Sequence, residues 1–462
     1  MTSALTAGAA SAVITPPVGT AMEGYGARTD VSQGVHDDLH ARAIVIDDGD
    51  SAVAIVSCDL LGVDRKLVAS ARRLASKATG LAEDHILIAA THTHAGPVGL
   101  MLSPDDPLVD NTAHRIAEAI TEAHAARRPA VLKIGATTVD SVQQNRRHPD
   151  WPIDPTLSVL LLDDPDPLQP PIASTINFAC HATVLDHTNL LFSADYPGYA
   201  MRTVQQLFPG IGVQFLNGAC GNVHPAWIVQ DFAEAERVGT IVGAAAARLI
   251  AELRPLGNNH QIDNIRWSEH VDKPVTAGEL IGDVRIRTAS RRVDMPLKSY
   301  LSRDEYETKL DGLQRQLDAL GDSPDPQQRR PIMEQVTRFR TERDVAARMA
   351  GRAALVSLED IGSAGGAAST LHPELMAVSF SPRLALLGLP GEWFVETIRD
   401  IRVRATVPNL PVACYANHYV GYVVPPAAYD EGGFEPGIAI LAPEAERIGK
   451  DAALSLLQEV MP

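Results

Sequence analysis

Apolar runs of strand length alternate with amphipathic stretches through the first half of the chain. Residues 43–46, 53–58, 86–90, 131–135, 159–162 and 172–178 are almost wholly apolar, while 66–77 and 112–126 carry apolar residues at helical spacing. Continuous apolar strands interleaved with helices predict an α/β protein with a mixed, largely buried sheet and flanking helices. Strand-like runs return at 213–216, 384–389 and 411–415, and residues 443–460 read as a closing helix.

Between residues 303 and 352 the character changes. The composition becomes strongly charged, with Leu310, Leu313, Leu317 and Leu320 on one helical face and Ile332, Val336 and Phe339 on another. The stretch 321–326, rich in Gly, Pro and Asp, supplies a break, so residues 301–352 are expected to form an inserted αα-hairpin within a single catalytic domain spanning 1–462. Leucines at this spacing serve packing. The hairpin is therefore expected to be a structural insertion, a lid or an arm for homo-oligomer formation.

Composition narrows the function. Of the 462 residues, 45% are hydrophobic and 21% charged, the balance of an ordinary folded protein. The formal charge of −17 without a Lys/Arg-rich block excludes a nucleic-acid footprint and electrostatic attachment to anionic membranes. No stretch is apolar for long enough to span a bilayer, and residues 1–12 lack the features of an export signal. The four cysteines are widely spaced in apolar runs, as expected for buried reduced thiols in a cytoplasmic protein.

The chemistry gathers where apolar runs end. Residues 86–90 lead into Thr91-His92-Thr93-His94, and in an extended backbone both histidines face the same way, toward one metal or one substrate oxygen. The run 172–178 delivers His181 in the same manner. Asp195, before a helical pattern, reads as a carboxylate orienting an imidazole or as a helix cap. The turn Asn217-Gly218-Ala219-Cys220-Gly221-Asn222-Val223-His224 is rich in glycine, which lets backbone approach a ligand and leaves amides for an oxyanion. Glu392, in Leu389-Pro390-Gly391-Glu392, sits as a hard ligand beside imidazoles or as a helix cap. The segment from Tyr415 to Tyr422 contributes three of the nine tyrosines, either to the site or to aromatic packing.

In order, these segments resemble the motifs of the neutral, non-lysosomal ceramidases and their bacterial relatives. The resemblance begins at Ala12-Val13-Ile14-Thr15-Pro16-Pro17, passes through Gly24-Tyr25-Gly26, Gly34-Val35-His36 and Arg42-Ala43, and continues through the histidine motifs to Tyr422, leaving the charged hairpin outside. It implies a catalytic zinc held by His92, His181, Glu392 and Tyr422. It also implies that His94 and Arg146 contact the substrate or stabilise the transition state. His36, Gly221, Asn222 and Tyr419 are the expected substrate-binding positions.

One departure shapes the expected mechanism. Where the family carries a serine within Gly-Asp-Val-Ser-Pro, this sequence reads Gly221-Asn222-Val223-His224-Pro225, so a serine nucleophile is excluded at that position. His224 is expected to act in acid/base catalysis or to hydrogen-bond the developing oxyanion. Relative to the true ceramidases, the sequence is also expected to lack their secretion signal and their immunoglobulin-like C-terminal domain. The leading expectation is a zinc-dependent hydrolase that uses activated water to cleave an amide, lactone or ester of a small or medium-sized metabolite. The alternatives are a ceramide-type N-acylsphingosine amidase, a binuclear amidohydrolase in a TIM barrel, and a catalytically inactive relative that binds a ligand.

Overall fold

The computed structural model describes residues 5–99, 106–255, 278–299, 301–320, 326–352, 361–362 and 370–461. They group into two compact units: Met1–Arg291 with Glu374–Tyr419 and Ala452–Pro462, and Arg292–Pro373 with Val420–Asp451.

Among the described residues, the three larger sheets of the first unit form its frame. In one, Thr6–Val13 lies antiparallel to His40–Asp47 along its whole length, His40–Asp47 is antiparallel to Ala52–Cys58, and Ala52–Cys58 is parallel to Ile86–Ala90. A second runs in the order Gly212–Asn217, Ala173–Phe178, Thr156–Asp163, Val131–Thr138, Gly278–Ile281, with its first pair parallel and the rest antiparallel. In the third, Leu384–Gly388 pairs antiparallel with Glu374–Ser381 and parallel with Val412–Ala413. Ile44, Ile55, Leu87, Leu132, Leu160, Leu216, Val378 and Leu386 from all three meet in one buried core. The mixed, largely buried sheet is thus as expected. Among the described residues the strands form mixed sheets, not the parallel barrel that a TIM-barrel amidohydrolase requires.

Boundaries follow local chemistry. The helix Arg65–Thr79 starts where the Asp64 side chain accepts the Leu67 N–H and ends at left-handed Gly80. Pro107–Ala125 begins earlier than the expected residue 112, because Asp106 caps it and Pro107 fits its first turn. Thr6–Val13 is a strand that periodicity does not announce. Its Ala- and Gly-rich sequence has weak strand preference, and pairing along its full length overrides that.

The second unit contains the charged helical pair. Arg303–Ala319 opens with a capping box between Ser302 and Glu305, and Leu310, Leu313 and Leu317 bury against Val336 of Pro326–Arg352. Leu320 closes the first helix as its cap. Of the expected break at 321–326, Pro326 opens the second helix and residues 321–325 lie outside the described residues. No helix among them is long and apolar enough to cross a membrane. All four cysteines are buried and free.

Candidate metal centre

The strands Ile86–Ala90, Ala173–Phe178 and Leu384–Gly388 end beside one another in the first unit, each just before a candidate ligand. Past Ala90, the Thr91 amide donates to the Cys58 carbonyl and the His92 amide to Leu60. His92 then takes a left-handed backbone, with φ 67°. This turn, rather than the strand alternation expected from the sequence, brings His92 and His94 together. A non-glycine residue with positive φ persists only where its surroundings hold it, and such residues gather at functional sites. Glu392 follows Gly391 on the two-residue strand Glu392–Trp393, while the next helix is capped at Phe394, so Glu392 is no helix cap.

Main-chain oxygens set the histidine rings. His92 Nδ1 lies 2.7 Å from the Leu61 carbonyl, and His181 Nδ1 lies 2.6 Å from that of Cys220 and 3.1 Å from that of Val223. A carbonyl can only accept, so in the neutral rings Nδ1 carries the proton and Nε2 keeps a lone pair. Both lone pairs turn toward one carboxylate oxygen: Glu392 Oε2 is 3.1 Å from His181 Nε2 and 3.5 Å from His92 Nε2. His94 Nε2 is 3.2 Å from His92 Nε2. The nearest ligand atoms of the three histidines all lie within 4.8 Å of one another.

These donors fit a metal ion. His92 and His181 are wholly buried and Glu392 nearly so, yet His181 Nε2 and Glu392 Oε2 have no hydrogen-bond partner. Lone pairs facing a buried carboxylate oxygen repel unless a cation or proton stands between them. Imidazole nitrogens with a carboxylate match zinc and its neighbours in the first transition row. Burial depresses the pKa of His94 well below the ordinary imidazole value, helped by His92 and His181. Burial and then the positive charge of Arg146 lower that of His181 to about 4, so both rings stay neutral and able to ligate near pH 7.

The remaining expected residues take varied places. Tyr419, expected to bind substrate, directs its hydroxyl at Glu392 Oε1 and so orients the carboxylate. Tyr422 lies buried in the second unit, its ring edge-on to Phe434. Asp195 does not orient an imidazole. Its carboxylate accepts the Leu185 and Tyr196 amides, and burial raises its pKa to about 6. His36 stacks on Phe232 and faces the Tyr199 hydroxyl at 2.8 Å.

The glycine-rich turn departs from expectation. The amides of Gly218, Gly221 and Val223 donate to the carbonyls of Phe178, Trp393 and Cys220, so they are spent on the fold rather than left for an oxyanion. A Cβ at Gly221 would stand 2.9 Å from the carbonyl oxygens of Glu392 and Trp393, and glycine is what lets the turn press against the Glu392 strand. The Asn222 side chain binds the Glu396 carboxylate and the Val395 amide. Arg146 donates from its guanidinium to the Gly221 carbonyl. His224 Nε2 lies 2.9 Å from the Gln144 amide nitrogen, and its ring is edge-on to Trp227.

Three supporting groups escaped sequence reasoning. Tyr415 stacks on His92 with ring centroids 3.9 Å apart, Gly24 abuts the His94 ring, and Arg28 donates to the His94 carbonyl at 2.9 Å. Gly24 and Tyr415 stood in motifs already singled out, whereas nothing in spacing marks Arg28.

Buried histidines and a carboxylate at the strand ends of a mixed α/β core define a candidate metal-binding protein. The model of the N-terminal part of the neutral/alkaline non-lysosomal ceramidases matches residues 5–213. The chain is 30% identical over 207 residues to the neutral ceramidase of Pseudomonas aeruginosa, covering 39% of this chain and 30% of that protein. It is 27% identical over 483 aligned positions to the neutral ceramidase of Mycobacterium tuberculosis, covering 90% of this chain and 70% of the relative. The crystal structure of the Pseudomonas neutral ceramidase superimposes with a TM-score of 0.70 at 19% identity, covering 99% of this chain and 75% of that one, and shares its fold.

Proposed function

We propose that the chain is a zinc-dependent hydrolase that cleaves an amide, lactone or ester bond in a small or medium-sized metabolite. The reading rests on one observation: the unpartnered Nε2 of His181 and Oε2 of Glu392 face each other at 3.1 Å beside His92, inside the protein. His92, His181 and Glu392 would hold the ion. When bound, zinc supplies Lewis-acid polarisation of a scissile carbonyl and acidifies water toward a pKa of about 7.

The chain's own groups do the rest. The Leu61, Cys220 and Val223 carbonyls hold the rings in the ligating tautomer. Tyr419 fixes one oxygen of Glu392 and leaves the other toward the histidines. Arg146, close enough to His94 and His181 to lower their pKa values, favours negative charge developing on a carbonyl oxygen. His224 moves a proton.

The name shared by the relatives, neutral ceramidase, favours the amide arm and supports a second reading, an N-acyl lipid amide as substrate. One experiment tests both. Metal content is measured per chain, and turnover of N-acylsphingosine, short N-acyl amides and lactones is followed before and after chelation. One zinc per chain and turnover that chelation abolishes are expected, and unchanged turnover by metal-free protein would overturn the proposal.

A further inference from the structure

Asn217 closes the strand Gly212–Asn217 and is wholly buried. Its Nδ2 donates to the Thr91 carbonyl at 3.1 Å and to the Cys180 carbonyl at 3.0 Å. These are the residues immediately before His92 and His181. Its Oδ1 accepts from the Cys180 amide at 3.3 Å and from the Cys220 thiol at 3.4 Å. Its own carbonyl accepts the Cys414 amide at 2.9 Å, one residue before Tyr415. The thiol of Cys220 also meets the Tyr415 hydroxyl at 3.1 Å, the ring of Tyr415 stacks on His92, and the Cys220 carbonyl holds His181 Nδ1.

We propose that Asn217 is a positioning residue that sets the separation of His92 and His181, with Cys220 and Tyr415 as the second arm of the same brace. The inference rests on the metal-centre reading. The residue type follows from the surroundings: two carbonyls that can only accept face Nδ2, and an N–H and an S–H face Oδ1. A carboxamide satisfies both sides at once. Aspartate would set a carboxylate oxygen against two carbonyls, and leucine would take a hydrogen-bond partner from each of four buried polar groups.

The test compares wild type, Asn217→Asp and Cys220→Ala. Zinc affinity is measured by competition with a chromophoric chelator, the visible spectrum is recorded with cobalt in place of zinc, and the thermal midpoint of the metal-free protein reports folding. Asn217→Asp is expected to bind zinc about 10–100-fold more weakly, the usual cost of losing an outer partner of a ligand, with a shifted cobalt spectrum. Cys220→Ala should move both readouts in the same direction by a smaller factor. Zinc affinity and cobalt spectrum equal to wild type in folded Asn217→Asp overturn the proposal. Should Asn217→Asp fail to fold, the same equality in Cys220→Ala overturns it. A wild-type protein that binds no zinc overturns the metal reading itself, which separates the two failures.

Discussion

The main-chain oxygen of Cys220 accepts a hydrogen bond from Nδ1 of His181 at 2.6 Å, so a residue in the glycine-rich turn determines which nitrogen of a histidine 39 positions away is free to bind a metal. Leu61 does the same for His92. With both rings oriented by backbone, removing a ligand itself is the most direct way to lose the metal. His92→Ala, His181→Ala and Glu392→Ala are each expected to weaken zinc binding by more than the roughly 10–100-fold cost of an outer partner, and to abolish hydrolysis. Stoichiometric zinc in all three purified variants, measured by mass spectrometry of the metal, would refute the assignment.

Gly24 stands at φ 112°, and a Cβ there would lie 2.8 Å from three atoms of the His94 side chain. Gly24→Ala therefore meets both backbone strain and a clash with a ring in the site. A loss of about 1–3 kcal/mol in stability is expected, together with a fall in kcat. Denaturant unfolding and steady-state kinetics check it. Activity and stability equal to wild type would mean that the loop moves aside without disturbing His94.

Asp195 gives a pH dependence with a defined sign. Burial raises its folded-state pKa from 3.8 to about 6, so its neutral form is the one the fold prefers. The stability it contributes is complete below about pH 4 and is lost as pH rises through 6. Asp195→Asn keeps a carbonyl acceptor and tolerates the left-handed backbone at this position, φ 55°. The stability of Asp195→Asn relative to wild type should therefore grow between pH 4 and pH 7, by about 1–3 kcal/mol. A difference that stays flat across this range would contradict the shift.

How much could be read from the sequence depends on what each residue is held by. His92, His181 and Glu392 were legible because each follows an apolar run, and a buried strand delivers whatever ends it to one edge of the sheet. The turn at His92 was not legible, since a positive φ in a non-glycine residue is imposed by tertiary contacts and leaves no mark in local composition. Asn217 was visible only as part of a glycine-rich motif. Its role depends on Thr91 and Cys180, which are 126 and 37 positions away. Thr6–Val13 escaped for a similar reason, its pairing with His40–Asp47 outweighing its alanines.

His224 stands where the family resemblance implies a serine, and in the proposed function it transfers a proton. The Gln144 amide nitrogen lies 2.9 Å from its Nε2, and an amide N–H donates, so Nε2 accepts and the neutral ring carries its proton on Nδ1. Gln144 and His224 face each other across paired strands, Gln143–Asn145 and Val223–Pro225, and Arg146 follows the first of these directly. On the other side, the Val223 carbonyl holds His181. The imidazole thus belongs to the same strand pair as two groups of the metal centre, with its tautomer set by a neighbour. His224→Ala is expected to retain zinc and to lose about 10²–10⁴-fold in kcat, the range for a positioned acid or base. Gln144→Ala, which frees the tautomer but keeps the ring, should cost less and should alter the pH–rate profile. On the proposed reading, in which activated water rather than a side chain attacks, neither variant nor wild type should accumulate a covalent acyl intermediate. Rapid-quench mass spectrometry provides the decisive measurement: an acyl group trapped on the wild-type chain would show that a side chain is the nucleophile.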